Sequence, residues 1–169
     1  MSAADLVLRN FNLFVDGRGY AGNILEFTPP ALKVKEQEFR AGGMDSSITL
    51  DMGMEKMEAK FTLSQFNPEI LKLWGLLDGS HKQFTARGSV ESQNGTKQPV
   101  VIQMSGTLRQ VESGAWKPGD KVELKFTASL VSYRYTQAGT TLVDIDVLNM
   151  KRVIGGVDQL AQQRANLGL

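Results

Sequence analysis

The sequence predicts a mainly β protein: an antiparallel β-sandwich or barrel with one covering α-helix. Short runs of alternating apolar and polar residues, tight-turn dipeptides between them and a single stretch of helical spacing carry that expectation. The length suits a single domain over residues 1–169.

Taken in order, Asn12 to Val15 runs into Asp16-Gly17 and resumes from Tyr20 to Ile24, the pattern of a tight hairpin. Pro29-Pro30 interrupts the chain, residues 32–39 resume it with alternating lysines and glutamates, and Gly42-Gly43 turns it into a strand at 47–51. Over residues 55–66, Met57, Ala59, Phe61 and Leu63 share one face, while Glu58, Lys60, Thr62 and Ser64 share the other. A helix is expected over 67–78, with Asn67 as cap, Pro68 at the first position, Glu69 in the first turn and Gly79 as the stop. Ile70, Leu73, Trp74 and Leu77 would form its buried stripe, contributing roughly 6–12 kcal/mol before entropy. Gly75 inside such a helix costs about 1 kcal/mol against alanine, which implies a close neighbour there.

Strands follow at 81–93 and 99–111 around Asn94-Gly95, with Val100, Ile102, Met104 and Leu108 on one side. A loop holding Gly114, Trp116 and Lys117-Pro118-Gly119-Asp120 leads to the longest strand, 121–135. There Val122, Leu124, Phe126, Ala128 and Leu130 alternate with Lys121, Glu123, Lys125, Thr127 and Ser129. Residues 137–139 turn into 140–148, and Gly155-Gly156 precedes a weakly amphipathic stretch over 157–167 that reads as a short helix ended by Gly168.

Chemistry is thinly supplied. Lys plus Arg is 19 against 18 Asp plus Glu, a net charge of +1, so a strongly basic nucleic-acid binder is not the default. Arg40, Lys56, Lys60, Arg87 and Lys97 make no basic run with interleaved aromatics. With no cysteine and one histidine, disulfides, thiolate sites and multi-histidine metal sites are absent, and no cofactor is expected. His81 reads as a solvated loop histidine, since spacing suggests no partner for a general base. Asp144 and Asp146 point the same way and could serve hydrolysis or a cation, but no further acidic cluster adjoins, so a polar strand face is the better reading. Asp16-Gly17-Arg18-Gly19 lacks the following helix that a phosphate cradle needs. Trp116 suits packing, an interface or sugar stacking, which keeps a ligand- or sugar-binding β-sandwich module as the alternative to a structural role. No apolar run reaches the roughly 18–20 residues of a membrane span, and the opening segment, with Asp5 ahead of its apolar residues, lacks a signal-peptide layout. The monomer is therefore expected to be made in the cytoplasm and not to insert stably into membranes.

Long strands with one apolar and one polar face suit a sheet shared between copies, closing head to tail into a ring with a wet lumen. Resemblance points the same way. Residues 39–61, FRAGGMDSSITLDMGMEKMEAKF, look like the signature of the major tail tube proteins of contractile-tailed phages and R-type pyocins. The ending IGGVDQLAQQRANLGL is similar to that family's C-terminus, and NLFVDGRGYAG and VDIDVLNMKRVIGGVD resemble it in order. One departure is Gly155, where the family more often has Asn; both residues tolerate left-handed backbone. The resemblance implies hexameric rings with a continuous inner β-barrel, stacked into a tube inside a contractile sheath and capped by baseplate and tail terminator proteins. Such a tube belongs to a virion tail or a released contractile particle and passes DNA non-specifically if the particle is a phage. The interface hairpin loop at 39–46 would place Arg40, Ala41, Gly42, Gly43, Met44 and Asp45 at contacts between subunits and rings. The C-terminal segment 155–169 would add Gly156, Val157, Asp158, Leu167 and Leu169. Glu58, Lys60, Thr62, Lys121, Glu123, Lys125 and Thr127 are the candidate lumen-lining residues.

Overall fold

The computed structural model describes residues 6–169; residues 1–5, including the Asp5 used in reading the opening segment, lie outside that range. Strand β1 (Val7–Val15) turns through Asp16-Gly17 into β2 (Arg18–Gly19). Asp16 and Gly17 have φ of 50° and 81°, and Val15 pairs with Arg18, so the turn is the two-residue hairpin whose twist matches its strands. The return run is shorter than the sequence predicts, because the amides of Asn23 and Ile24 both donate to the Tyr20 carbonyl and turn the chain again. Strand β3 (Ile24–Thr28) follows and ends at Pro29-Pro30. Next come β4 (Val34–Phe39), β5 (Ile48–Met54), β6 (Met57–Leu63), a one-turn helix α1 (Pro68–Leu71) and β7 (Lys82–Glu91). The chain continues through β8 (Lys97–Ser113), β9 (Leu124–Gln137), β10 (Thr140–Asp146), β11 (Lys151–Ile154), β12 (Val157–Asp158) and α2 (Ala161–Leu167).

Strands β8 and β9 form the spine. On its other side β9 pairs twice: residues 124–130 with β6 and residues 132–137 with β10. The sheet therefore divides into two wings. One runs β3-β6-β9-β8; the other runs β12-β11-β10-β9-β8-β7-β1-β2. Between them lies the core, where Phe61 of β6 stacks on Phe126 of β9 at 5.0 Å and tilts against Phe84 of β7 at 6.2 Å. The bend needs Gly106: a Cβ there would sit 2.0 Å from the Ser129 carbonyl oxygen, beside register breaks at Ser105/Gly106 and Leu108/Gln110. Strands β4 and β5 pair only with each other and form a separate arm.

The helix expected over 67–78 shrinks to α1. Its start is as the sequence predicts: the Asn67 carboxamide oxygen accepts from the Glu69 amide, and Pro68 opens the turn. Its continuation loses to the edge of β8. Trp74 bridges Leu108, the Gly75 amide donates to the Leu108 carbonyl at 3.3 Å, and the Trp74 indole donates to the Arg109 carbonyl at 3.1 Å. Only Ile70 of the expected stripe is fully buried; Leu73 is half-buried, and Trp74 and Leu77 are exposed, so the burial term is far smaller than a full stripe would give. Gly75 has φ of 72° and open space where a Cβ would stand, so left-handed backbone, not close packing, explains it. The strand expected from 121 begins at Leu124, which leaves Lys121 and Glu123 in the preceding loop.

Candidate functional site

The wing β3-β6-β9-β8 turns one face to the core and a polar face away from it. Met57, Ala59, Phe61 and Leu63 of β6 and Leu124, Phe126, Ala128 and Leu130 of β9 are buried on the first. On the second, register aligns the side chains in rows. Glu26, Thr62, Lys125 and Glu112 lie in one row across the four strands; Thr28, Lys60, Thr127 and Gln110 lie in the next. Glu58 stands beside Ser129 and pairs with Lys56 at 2.8 Å; that hydrogen bond holds its carboxyl below the usual carboxylate range. Of the candidate lumen residues, Glu58, Lys60, Thr62, Lys125 and Thr127 thus share this face, while Lys121 and Glu123 do not. Glu26, Thr28, Gln110 and Glu112 are the members that sequence reading missed; only the register reveals them.

This wing also has open edges. Strand β3 pairs with β6 alone. Residues 97–106 of β8 are covered by β7, and Leu108 and Arg109 by the Trp74 segment, so residues 110–113 stay open among the described residues. From β3 to β8 each neighbouring pair is antiparallel, so β3 and β8 run in opposite directions.

The arm carries the Arg40 to Asp45 tip. There the Met44 sulfur accepts from the Ala41 amide at 3.3 Å, and its carbonyl accepts from the Arg40 guanidinium at 3.2 Å. Open space surrounds the positions where Gly42 and Gly43 would carry a Cβ, which leaves room for another backbone. At the arm's base, Arg152 of β11 donates to Asp51 at 2.6 Å, and this bond holds the Asp51 carboxyl below its ordinary range. The C-terminal segment folds as a clamp: Arg164 of α2 donates to the Met150 carbonyl at 2.7 Å and pairs with Asp158, whose carboxyl it holds low. Gly155 and Gly156, with φ of 58° and 85°, make the β11–β12 turn, and Gly168, with φ of 75°, caps α2. Val157, Leu167 and Leu169 are exposed apolar side chains along this segment.

The enzyme candidates come apart. Asp144 receives hydrogen bonds from Lys151 at 2.8 Å and Arg134 at 3.1 Å; burial pushes its carboxyl up, but the two cations overrule it and the net shift is down. Asp146 instead accepts from the Asn149 side chain at 2.7 Å and caps a turn. His81 is exposed in the turn before β7. Among the described residues no group of three or more acidic or histidine side chains could hold a metal. Nor is any helix there long and apolar enough to cross a membrane.

The subunit thus presents a polar sheet face between open edges and a separate hairpin arm, with Asp144 committed to ion pairs and Asp146 to a turn. The sequence model of the phage tail tube protein FII family matches residues 5–168, and the chain belongs to that family. It is a structural tail tube protein and not an enzyme. The tail tube protein of Escherichia phage P2 is 29% identical over 166 residues, spanning 96% of each chain. The major tail tube protein of Serratia phage KSP20 is 28% identical over 144 residues, 84% of this chain and 83% of that one. Among solved structures, the sheath–tube complex of an extracellular contractile injection system in its extended state matches with a TM-score of 0.57 at 13% identity, over 75% of this chain and 86% of that one. The tube-terminating cap of the anti-feeding prophage matches with a TM-score of 0.56 at 13% identity, over 80% and 95%. These structural likenesses are likenesses of fold.

Proposed function

We propose that the polar face of β3, β6, β9 and β8 is the wall of the tube's channel. The observation that carries this reading is the pair of open edges, β3 and residues 110–113 of β8, which run in opposite senses on either side of one polar face. The β8 edge of one copy extends the sheet antiparallel through β3 of the next, and repetition closes a hexameric ring with a continuous inner barrel and no free edge. Its lining is wet and mixed in charge with one acid in excess on each subunit, since Glu26, Glu58 and Glu112 stand among Lys60 and Lys125. The arm tip, Arg40 to Asp45, and the C-terminal Gly156, Val157, Asp158, Leu167 and Leu169 lie at contacts between copies. Tail sheath, baseplate and tail terminator proteins are the further partners, in keeping with the sheath–tube and cap assemblies that share the fold. DNA passes through without sequence readout if the particle is a phage, and the subunit is made in the bacterial host cytoplasm before it enters the particle.

Negative-stain electron microscopy of the purified protein across a concentration series tests the reading. Hollow rings or tubes with six-fold end views are expected. Rings of another symmetry, or solid filaments without a channel, would overturn it.

A further inference from the structure

We propose that the Trp74-Gly75 segment is a register stop for ring closure: it halts β3 of the neighbouring copy at Gln110 and so fixes the sense in which the shared sheet is staggered; this rests on the ring reading above. The segment is tied to the rim of β8 at several points. The Gly75 amide donates to the Leu108 carbonyl at 3.3 Å, the Trp74 indole donates to the Arg109 carbonyl at 3.1 Å, and the Arg109 guanidinium pairs with Asp78 at 2.8 Å. The register with β9 breaks between Leu108 and Gln110, so the segment holds β8 where the main sheet skips Arg109. It adds little to the core, since Trp74 and Leu77 are exposed. What it does is occupy an edge.

The two open edges of the wing end in the same row. Strand β3 pairs as far as Thr28, after which Pro29 and Pro30 have no N–H to offer. The β8 edge opens at Gln110, beyond the Trp74 contacts, and Thr28, Lys60, Thr127 and Gln110 form one row across the four strands. At the far end Ile24, Leu63, Leu124 and Ser113 form another, so both edges span the same rows. A lone subunit has no need to match edges that lie three strands apart. Strands that pair with each other do, and in antiparallel closure Thr28 of one copy comes toward Gln110 of the next.

Sliding at this junction is restricted. A one-residue slip would turn the polar side chains of β3 to the other face, so only steps of two keep the face intact. A step toward Leu108 would carry Thr28 onto residues 108–109, whose carbonyls are already taken, and drive Pro29 into Trp74. A step toward Ser113 is free, and it separates Glu26 from Glu112, which would stand opposite each other with no stagger. A closed barrel needs a stagger of one sense at its junctions, and the stop leaves that sense alone.

The cysteine-free sequence lets the register be read directly. Three double variants are assembled, oxidised and run on a non-reducing denaturing gel: Thr28→Cys with Gln110→Cys, Thr28→Cys with Glu112→Cys, and Glu26→Cys with Gln110→Cys. Within one subunit the two edges are three strand spacings apart, about 14 Å, so any disulfide joins two copies. Linked oligomers from one of the Thr28 variants, and none from the Glu26–Gln110 variant, are expected. A link in the Glu26–Gln110 variant would overturn the proposal, because Thr28 would then have passed the stop. Six-fold rings with no link in any variant would show that β3 and β8 do not meet, which is the failure of the ring reading itself. Gly75→Pro gives a second measurement, since proline cannot hold a φ of 72° and has no N–H for the Leu108 carbonyl. Native-like circular dichroism with end views of mixed ring sizes or open arcs is expected; uniform six-fold rings of the parent's diameter would contradict the stop.

Discussion

Gly106 shows how one missing side chain shapes the sheet. Its α-carbon lies where β8 bends between the wings, and any Cβ would collide with the Ser129 carbonyl oxygen at 2.0 Å. Backbone cannot swing aside as a flexible side chain can, so Gly106→Ala is expected to cost at least about 3 kcal/mol by urea denaturation of the monomer. Gly42→Ala, which meets open space, is the matched control and should lie within about 0.5 kcal/mol of the parent. Asp144, Asp158 and Asp51, like Glu58 and Asp78, contribute to the response to acid. Each carboxyl is held below its ordinary value in the folded chain, so the unfolded chain takes up protons first as pH falls. Their contribution is complete above the unfolded carboxylate range, about pH 4, and disappears as pH drops through the lower folded values. The urea midpoint should hold between neutral pH and about 5 and fall below about 4. Asp144→Asn should lower the midpoint at neutral pH and make the acid fall shallower; an unchanged acid profile would show that the Arg134–Asp144–Lys151 group carries none of it.

Two hairpins were readable before the structure because turn residues mark them locally: Asp16-Gly17 is a two-residue turn, and Asn94-Gly95 falls within the loop between Glu91 and Lys97. The reversal at Gly155-Gly156 was read only as the approach to a short helix, whereas β12 follows it. The buried faces of β6 and β9 were readable for a similar reason: alternation is local, and Met57 to Leu63 and Leu124 to Leu130 follow it closely. Helix α1 was misjudged in length because its competitor is remote in sequence. The β8 edge that captures Trp74 and Gly75 lies more than thirty residues on and leaves no mark in the local spacing. The same limit hid Glu26 and Glu112, which join the polar face only through strand register. The arm was half readable, as two strands around Gly42-Gly43, but nothing local says that it stands apart from the main sheet. Its tip carries a direct test. Met44→Lys should leave circular dichroism native-like, since the side chain serves only the tip, while abolishing tubes by electron microscopy. Normal tubes from that variant would remove the tip from the assembly contacts.

As a whole, the subunit separates its tasks between the two wings of one sheet. The core between them holds the fold, stacked around Phe61, Phe84 and Phe126. The outward polar face is open to water, and its two edges, β3 and residues 110–113 of β8, have no strand partner beyond it among the described residues; their brevity limits pairing with the wrong chain. The arm and the Phe66–Trp116 pair occupy opposite ends of that wing. Hydrogen–deuterium exchange of assembled tubes against the dilute subunit measures the central claim most directly. The account expects new protection at residues 25–28 of β3 and 110–113 of β8, where unpaired amides acquire partners in the ring. Equal exchange of both edges in tubes and subunits would contradict it.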